Sequence, residues 1–536
     1  MPSILVSGLI IHIYLLPDSF DNPIPVPVLP SPDSAPHRDD LHRPRLAILA
    51  EQALAGEPAQ RAVEFEGRWH DWGALRATAD ALSAALDAAG VSAAQPVAVV
   101  PRNCPGFAAA LLGLLARARP IVMVHAYQSP EGIARDLARL GVAAAIALER
   151  DWQPAVIAAA AAAGIAGISL GAGIGGAASM PGLETGRAAE VAGAAAALRL
   201  LTSGTTGAPK HHAMSYDLVA RAMLGETMLP SSAAEALPAL IFFPFGNISG
   251  IYAFLPAALA RRPMVMLEKF DIQAWAGFAR IWRPPVLNVP PAALQMALDA
   301  DITPDDLASV SYIYSGAATL EPYIQRRFEA RYGIPILLSY GATEFAGPVT
   351  LMTPELHRDY GDSKFGSVGR AVAGAGLRVV DPANGAVLPP DEEGVLEVRV
   401  PRIGPDWIRT TDLAVIDRDG FLFHRGRADG AIMRGGFKII PDIVVAALVS
   451  HPAVAAAAVV GLPDKRLGEV PAAAIQLRAG AAAPSEAALE AHVRQCVYAT
   501  HVPVAFVIVP ELPRTPSMKI DIPAVRQLLL DRQAGG

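Results

Sequence analysis

Short apolar runs alternate with segments of helical length between about residue 45 and about residue 365. The runs are typical of buried strands: Pro96–Val100, Ile121–Val124, Leu240–Phe243, Val286–Val289, Tyr312–Tyr314 and Ile336–Leu338. The segments between them are typical of helices: Phe107–Ala116, Pro130–Leu140, Ala292–Leu298 and Glu321–Tyr332. Strands of this length that alternate with helices indicate βαβ units. We therefore predict an α/β fold whose mostly parallel sheets are covered by helices on both faces.

The pattern changes after about residue 365. Residue pairs that favour hairpin turns stand between short β-type segments: Asn384-Gly385, Glu393-Gly394 and Asp419-Gly420. These pairs predict a β-rich, antiparallel subdomain over about 365–427 within a large domain of residues 46–427. A last block, 428–536, has a helix predicted at Ser485–Tyr498 and resembles a small α+β domain.

The first 45 residues do not fit this alternation. The apolar run Ile4–Leu16 has 13 residues, fewer than the roughly 20 that a membrane-spanning helix needs. Neither Lys nor Arg precedes it, and closely spaced prolines that favour extended chain follow. We interpret residues 1–45 as an appendage, either a surface strand or the result of a start codon assigned too early, and expect no membrane span.

Charge and cysteine content exclude some classes of protein. With 44 Lys and Arg against 51 Asp and Glu, the net charge is −7, which argues against binding nucleic acid through bulk positive charge. The 2 cysteines, Cys104 and Cys496, lie far apart. Their spacing excludes a disulfide framework and a zinc site built on cysteine pairs, and it favours a reducing, cytoplasmic location.

A segment rich in glycine and hydroxyl groups follows the strand-like run Leu198–Leu201. Glycines allow backbone N–H groups to turn toward one anion, and four hydroxyls and one ammonium surround the same point. It is not a Walker A loop, because Pro209 replaces the second glycine and no Ser or Thr follows Lys210. We predict that it binds phosphate through these residues: Thr202, Ser203, Gly204, Thr205, Thr206, Gly207 and Lys210.

This segment resembles the phosphate loop of the adenylate-forming superfamily, which includes acyl- and aryl-CoA synthetases, luciferases and peptide-synthetase adenylation domains. Five further motifs follow in the order of that superfamily, and the resemblance covers about residues 60–525. They are Ser315-Gly316-Ala317-Ala318, Ser339-Tyr340-Gly341-Ala342-Thr343-Glu344, Thr410-Thr411-Asp412, Gly426-Arg427-Ala428-Asp429 with Gly435-Gly436-Phe437, and Pro513-Arg514-Thr515-Pro516-Ser517-Met518-Lys519.

The resemblance implies a nucleotide site in which ATP and Mg²⁺ are bound. The Glu344 carboxylate suits Mg²⁺, Tyr340 could stack on adenine, and Asp412 could accept hydrogen bonds from the ribose hydroxyls. With the loop residues above, the ATP- and AMP-binding set is then Gly316, Ala317, Ala318, Ser339, Tyr340, Gly341, Ala342, Thr343, Asp412 and Arg427. The implied catalytic residues are Lys519, Glu344, Thr343 and Lys210.

The resemblance also implies that the small C-terminal domain is mobile. It would rotate about a hinge at Asp429, so that two of its faces meet the same site in turn. One face carries Lys519, whose ammonium can stabilise charge at the α-phosphate. The other would face CoA and carries Gly435, Gly436 and Phe437.

The residues expected to line an acyl pocket are Phe245, Asn247, Ile248, Ser315, Gly316, Gly341 and Ala346. Most of them are apolar or small, which favours a hydrophobic acid. Asn247 stands where CoA ligases often carry His and where amino-acid-activating domains carry Asp. It therefore argues against a standard α-amino acid. Thr411 and Met518 each replace a glycine of the superfamily motifs, but no catalytic group is missing.

We expect an ATP- and Mg²⁺-dependent acyl- or aryl-CoA synthetase that forms acyl-AMP and then a CoA thioester. One alternative is a stand-alone adenylating enzyme that passes its acyl-AMP to a carrier protein or another nucleophile. A second is a regulatory nucleotide-binding protein with an inactive site. A homodimer is left open. A dinucleotide loop at 171–176 and a hydrolase elbow at 167–171 are rejected, because the required helix is not predicted after them.

Overall fold

The computed structural model describes residues 43–187, 192–202, 210–224, 237–428, 430–434, 437–464, 466–515 and 518–534. They form two compact units, an N-terminal unit that ends at Phe270 and a C-terminal unit that begins at Asp271. Most of the predicted appendage, the phosphate loop 203–209, the hinge residue Asp429 and the glycines at 435 and 436 lie outside the described residues. The predicted domain boundary near 427 stays a prediction.

The N-terminal unit has two sheets. The larger is ordered β7-β6-β5-β3-β4-β8-β9. Its inner strands, β6, β5, β3, β4 and β8, are parallel to one another, and its edge strands, β7 and β9, are antiparallel to their neighbours. The smaller is ordered β10-β11-β1-β2. The strands are β1 Arg61–Phe65, β2 Arg68–Asp71, β3 Val97–Val99, β4 Ile121–Met123, β5 Ala144–Leu148, β6 Ala166–Leu170, β7 Ala177–Ser179, β8 Ala197–Thr202, β9 Lys210–Ser215, β10 Ala239–Ile241 and β11 Met264–Met266.

Helices pack around these sheets because the strands are apolar on both faces. Every residue of β3, β4 and β5 is buried. Local signals set the helix starts: Pro105 begins α3, and Asp71 caps α2 by accepting a hydrogen bond from Ala74 N at 2.8 Å. The helices are α1 Arg45–Ala55, α2 Trp72–Ala88, α3 Pro105–Ala116, α4 Pro130–Leu137, α5 Pro154–Ala163, α6 Tyr216–Leu224 and α7 Ile248–Leu259.

The C-terminal unit begins with a mixed sheet, β12-β13-β14-β15-β16, in which the first three strands are parallel. Next comes the antiparallel sheet β17-β18-β19-β20. The strands are β12 Val286–Val289, β13 Tyr312–Ser315, β14 Ile336–Ala342, β15 Gly347–Leu351, β16 Arg370–Ala371, β17 Gly376–Val380, β18 Glu393–Arg399, β19 Trp407–Ile416 and β20 Leu422–Arg427. The helices are α8 Ile272–Trp282, α9 Pro291–Asp299, α10 Pro322–Tyr332 and α11 Pro354–Tyr360.

The last sheet of this unit is ordered β22-β21-β24-β23, with β25 parallel to β24. Its elements are β21 Ile432–Arg434, β22 Phe437–Ile439, α12 Pro441–Val449, β23 Val454–Asp464, β24 Gly468–Leu477, α13 Glu486–Cys496, β25 Phe506–Val509 and α14 Ile522–Ala534. The prediction of an α/β fold that ends in a small α+β part is confirmed.

The two rejected motifs lie on strands and a turn. Strand β6 ends at Leu170, and strand β7 begins at Ala177 after only six intervening residues, antiparallel to β6. A strand thus follows both motifs where a helix would be required. Within the described part of the chain, no helix is both long and apolar enough to cross a membrane.

Candidate active site

The carboxyl ends of β13 and β14 place two predicted motifs side by side. These parallel strands pair Ser315 with Leu338, so the chain after each strand leaves at the same edge of the sheet. Gly316 is needed there, because a Cβ at this position would lie 2.5 Å from Ser339 Oγ. The buried Ser315 Oγ has no hydrogen-bond partner among the described residues, so it is available to a ligand.

The segment after β14 turns sharply and presents Glu344. Residues Thr343–Phe345 form one turn of 3-10 helix, and Ala346 closes it in the left-handed region, with φ of 50°. Phe345 is buried under this turn, whereas Glu344 is exposed. Gly341 allows the strand to approach Gly347 O, which would lie 2.5 Å from a Cβ at that position.

Asp412 is the centre of a hydrogen-bonded cluster. Tyr340 Oη donates to Asp412 Oδ2, and His424 Nε2 and Arg427 Nε lie 3.5 and 3.9 Å from Asp412 Oδ1. The rings of Tyr340 and His424 are stacked, with centroids 5.9 Å apart. Strand pairing sets this geometry, because Asp412 on β19 faces Arg427 on β20.

The cluster keeps Asp412 ionised. Burial by itself would raise the pKa of Asp412, but hydrogen bonds from His424 and Tyr340 and the charge of Arg427 outweigh it, so the pKa lies below its usual value. Burial and the neighbouring Asp412 raise the pKa of Tyr340, which therefore remains a phenol that donates. An ionised, oriented carboxylate of this kind can accept two hydrogen bonds from a vicinal diol.

Lys519, near the C-terminus, interacts electrostatically with the same cluster. Burial and the cation of Arg427 lower its pKa, while Glu344 and Asp412 oppose that effect. These interactions place the ammonium in the electrostatic environment of both carboxylates. The backbone of its loop is closed by hydrogen bonds from Thr515 N to Lys519 O, at 2.7 Å, and from Asp521 N to Pro513 O, at 2.9 Å.

Two further carboxyl groups lie next to this cluster. A Cβ on Gly426 would lie 2.6 Å from Asp442 Oδ2, so the glycine admits this carboxylate beside β20. Burial raises the pKa of Asp442, and Asp412 adds to the effect, while His424 and Arg427 oppose it. Burial and the charge of Asp442 raise the pKa of Glu321 to about 7. Both groups therefore favour the protonated form more than an exposed carboxyl does.

The donor set suits a magnesium ion that is carried by its nucleotide. In the described ranges, no group of three or more His, Cys, Asp or Glu side chains could hold a metal by itself. Mg²⁺ characteristically binds through one or two carboxylates, water and substrate phosphates. An exposed Glu344 therefore fits such an ion, whereas a site built only from protein ligands does not.

The N-terminal unit carries Thr202, Lys210 and three residues of the predicted acyl pocket. Thr202 and Lys210 form the last backbone pair of β8 and β9, on either side of the phosphate loop. Phe245 is fully buried, with its ring 4.7 Å from that of Phe254. Asn247 and Ile248, at the start of α7, are half-buried, and the Asn247 side chain makes no capping hydrogen bond. The predicted pocket between these residues and the C-terminal unit stays a prediction.

The sequence reasoning missed several polar residues of the site. His424 lies three residues before Arg427, but no superfamily motif pointed to it. The sequence predicts Glu321 only as the start of a helix, and Asp442 lies in none of the motifs. Strand alternation could not have found His424, because the pairing of β19 with β20 shifts register between Leu413 and Ala414, and regular alternation would place His424 and Arg427 on opposite faces.

The chain belongs to the AMP-binding enzyme family. The model of that family matches residues 49–405, and the model of the AMP-binding enzyme C-terminal domain matches residues 445–519. The recognition of an adenylate-forming enzyme is thereby confirmed, and the matched ranges include Tyr340, Glu344 and Lys519.

Among its relatives are enzymes named as CoA ligases. The chain is 33% identical to the sulfoacetate–CoA ligase of Cupriavidus necator over 348 residues, which are 61% of this chain and 66% of that enzyme. It is 28% identical to 4-coumarate–CoA ligase 5 of Oryza sativa subsp. japonica over 539 residues, 94% of this chain and 96% of that enzyme. The chain thus spans just under two thirds of the first and nearly all of the second.

A solved structure has the same fold. The amide bond synthetase McbA from Marinactinospora thermotolerans is 25% identical, with a TM-score of 0.68 over 90% of this chain and 99% of that protein. The similarity therefore extends over both units and not only over the sheets of one.

Proposed function

We propose that this chain activates a carboxylic acid with ATP and transfers the acyl group to the thiol of CoA. The observation that carries the proposal is the convergence of Lys519, Glu344 and Asp412 on one environment within a chain of the AMP-binding enzyme family. Adenylation requires three such groups: a cation that stabilises the reacting phosphate, a carboxylate that binds Mg²⁺ and an acceptor for the ribose hydroxyls.

The C-terminal unit is proposed to bind the nucleoside. Tyr340 presents an aromatic ring for adenine, and Asp412 accepts from the ribose hydroxyls while His424 and Arg427 hold its carboxylate in place. Glu344 would hold Mg²⁺ together with phosphate oxygens, and this ion would supply charge neutralisation at the triphosphate. Thr343 is proposed to donate to the α-phosphate.

In the first step an oxygen of the substrate carboxylate attacks the α-phosphorus, and the bond to the β-phosphate breaks. The products are acyl-AMP and pyrophosphate. Lys519 is proposed to stabilise the negative charge that the phosphate and the entering carboxylate share. Burial and the cation of Arg427 lower its pKa, whereas Glu344 and Asp412 favour its charged form. Residues 202–210, including Lys210, are proposed to hold the β- and γ-phosphates.

In the second step the sulfur of CoA attacks the acyl carbon and AMP leaves with the electron pair of the broken C–O bond. The residues proposed for the CoA side are Gly435, Gly436 and Phe437, after rotation about Asp429. Names of the relatives support a thiol acceptor, since two enzymes similar to this chain are CoA ligases. A hydrophobic acid is proposed, with Asn247 as the polar group of the pocket.

Pyrophosphate release from a panel of carboxylic acids, with ATP and Mg²⁺ and with or without CoA, tests the proposal. We expect release to require an acid, ATP and Mg²⁺ together, and a thioester to form only when CoA is added. Release that is equal without any acid would identify a nucleotide hydrolase instead.

A second candidate function is transfer of the acyl group to an amine. The similarity to a protein named as an amide bond synthetase favours keeping it. The assay separates the two once an amine is added, because amide formation would need acid, ATP and the amine and would not respond to CoA.

A further inference from the structure

We propose that Asn103 is a positioning residue for acid selectivity, which it exerts by fixing the Phe243–Asn247 loop. This inference rests on the proposed function, in which that loop contributes Asn247 and Ile248 to the acyl pocket. Asn103 lies outside the superfamily motifs named above, and its side chain is fully buried in the N-terminal unit.

The amide of Asn103 binds the loop at two points. Asn103 Nδ2 donates to Phe243 O at 3.0 Å, and Asn103 Oδ1 accepts from Phe245 N at 3.1 Å. A side-chain amide that pairs with the N–H and the C=O of a short segment imitates one rung of a β-ladder. Asp or Ser cannot reproduce the pair, because neither offers a carbonyl and an NH₂ group together.

This contact joins the two sheets of the N-terminal unit. Asn103 follows β3 of the larger sheet, and the loop follows β10 of the smaller sheet. The partners are 140 and 142 residues apart in the chain. The direction in which the loop leaves its strand therefore depends on one buried side chain of the neighbouring sheet.

Helix α7 confines the loop from the other side. A Cβ on Gly250 would lie 2.1 Å from Pro244 O and 2.7 Å from Phe243 O, so only glycine admits the loop at this distance. Phe245 anchors the same stretch by packing against Phe254. With the backbone held at these points, the loop has little freedom to shift when it meets an acid.

The half-buried Asn247 side chain stands at the end of the clamped stretch. It occupies the N-cap position of α7 but does not make the usual cap bond to its helix. Its amide is thus available to a substrate, and its position is set by Phe243 and Phe245 through Asn103. A small displacement of the loop would move Asn247 relative to a bound acid while leaving the nucleotide residues unchanged.

The test uses the full-length variants Asn103→Asp and Asn103→Ala. Asn103→Asp keeps an acceptor for Phe245 N but loses the donor to Phe243 O, whereas Asn103→Ala loses both. Gln95→Ala is the matched control, because Gln95 is also a buried amide. It lies just before β3 begins, and its Oε1 accepts a hydrogen bond from Ser92 N. Steady-state pyrophosphate release gives kcat and KM for a panel of acids and for ATP, and melting curves report folding.

We expect the KM for the preferred acid to rise about tenfold in Asn103→Asp and further in Asn103→Ala, since each leaves a buried group unpaired. Discrimination between acids should narrow, and the KM for ATP should change by less than about twofold. Gln95→Ala should keep the discrimination of the wild type even if it melts earlier. Because the expected effects are graded, either Asn103 variant alone decides the question if the other does not fold.

Two results would overturn the inference, and they differ in meaning. Equal losses for all acids and for ATP, or unchanged selectivity in folded Asn103 variants of an active enzyme, would leave Asn103 as a purely structural residue. A wild type that releases no pyrophosphate with any acid would refute the proposed function itself, and the inference with it.

Discussion

The cluster around Asp412 and the loop around Asn103 are both proposed to hold substrate, but different forces hold each of them. Charged and aromatic groups surround Asp412: Tyr340, His424, Arg427 and Lys519. The Phe243–Asn247 loop is held by a neutral amide, a glycine contact and a pair of phenylalanine rings.

This difference indicates that the two regions determine different properties of the enzyme. A charged cluster is sensitive to pH and salt, and each member changes the pKa of the others. The neutral contacts that hold the Phe243–Asn247 loop are insensitive to pH and salt, but they tolerate little change in geometry. Variants in the cluster should therefore alter the reaction with every acid, and variants in the loop should alter the choice of acid.

The largest effect is expected for Lys519→Ala. Loss of a preorganised donor to a developing charge typically costs about 2.7–4 kcal/mol, or roughly 10²–10³ in rate. Acyl-AMP formation should fall by at least that factor with every acid of a panel, as measured by pyrophosphate exchange. Thioester formation from supplied acyl-AMP and CoA should survive, since Lys519 is proposed to act only in the first step.

Arg526→Ala is the matched control for Lys519→Ala. It removes one cation from α14, a few residues further along, where Arg526 lies 3.9 Å from Glu469 on the surface. It should leave both half-reactions intact. Equal losses of both half-reactions in a folded Lys519→Ala protein would contradict the assignment of Lys519 to adenylation.

A pH-dependent effect is expected from Glu321. Its pKa is about 7 in the folded protein and near 4.5 when exposed, so the folded state binds more protons between these values. The free energy of unfolding should therefore fall as the pH rises from about 4.5 to about 7, by up to about 3.4 kcal/mol from this group. Glu321→Gln should lessen that fall.

Denaturant titrations of the wild type and of Glu321→Gln at several pH values measure the difference. Other charged groups are coupled to Glu321: it interacts with Asp442, which in turn interacts with Asp412, His424 and Arg427. The contribution of Glu321 is therefore the difference between the stability curves of the wild type and of Glu321→Gln, not the slope of either curve. Parallel curves over pH 4.5–7 would show that Glu321 titrates normally. The contacts of Asn103 with the Phe243–Asn247 loop involve neutral groups. The free energy of unfolding of Asn103→Ala should therefore change with pH as that of the wild type does.

A selective effect is expected for Asn247→Ala. If the amide contacts a polar group of the acid, its loss should cost about 1–3 kcal/mol in kcat/KM with that acid. A purely aliphatic acid should be nearly unaffected. The helix should lose little stability, because Asn247 makes no cap bond to it. Identical losses with polar and aliphatic acids would contradict a role in selectivity.

The smallest effect is expected for His424→Phe, which keeps a ring against Tyr340 but removes the contact with Asp412. We expect the KM for ATP to rise by a factor of about 2–10, corresponding to one ordinary hydrogen bond. The KM for 3′-deoxy-ATP should rise less, since that analogue lacks one hydroxyl for Asp412 to accept. Thr319→Ala is the control, because Thr319 lies 3.5 Å from the other ring nitrogen; a rise as large as in His424→Phe would contradict the proposal.

Local sequence predicted much of the fold. The runs Val286–Val289 and Glu321–Tyr332 correspond to β12 and to α10 with an error of at most one residue, because buried strands and proline-initiated helices leave local signals. The positions of Tyr340, Asp412 and Lys519 were predicted for a different reason: each lies in a short motif of the family.

The residues that hold those groups in place were not predicted. His424 matters through a carboxylate twelve positions earlier on the neighbouring strand, and Asn103 through a loop about 140 residues away. Such contacts depend on strand register and on the packing of two sheets, neither of which appears in a local pattern. The raised pKa of Glu321 likewise needs the position of Asp442, which only the fold supplies.

The closed loop that carries Lys519 has a consequence for conformational entropy. Hydrogen bonds fix the backbone on both sides of the lysine, and Met518 holds a left-handed φ of 66°, a conformation that costs a residue other than glycine about 1–2 kcal/mol. Ordering a free backbone residue costs about 1–2 kcal/mol, and ordering a lysine side chain up to about 2 kcal/mol. Folding has already ordered the backbone around Lys519, so the role proposed for Lys519 in adenylation requires ordering of its side-chain torsions but not of this backbone.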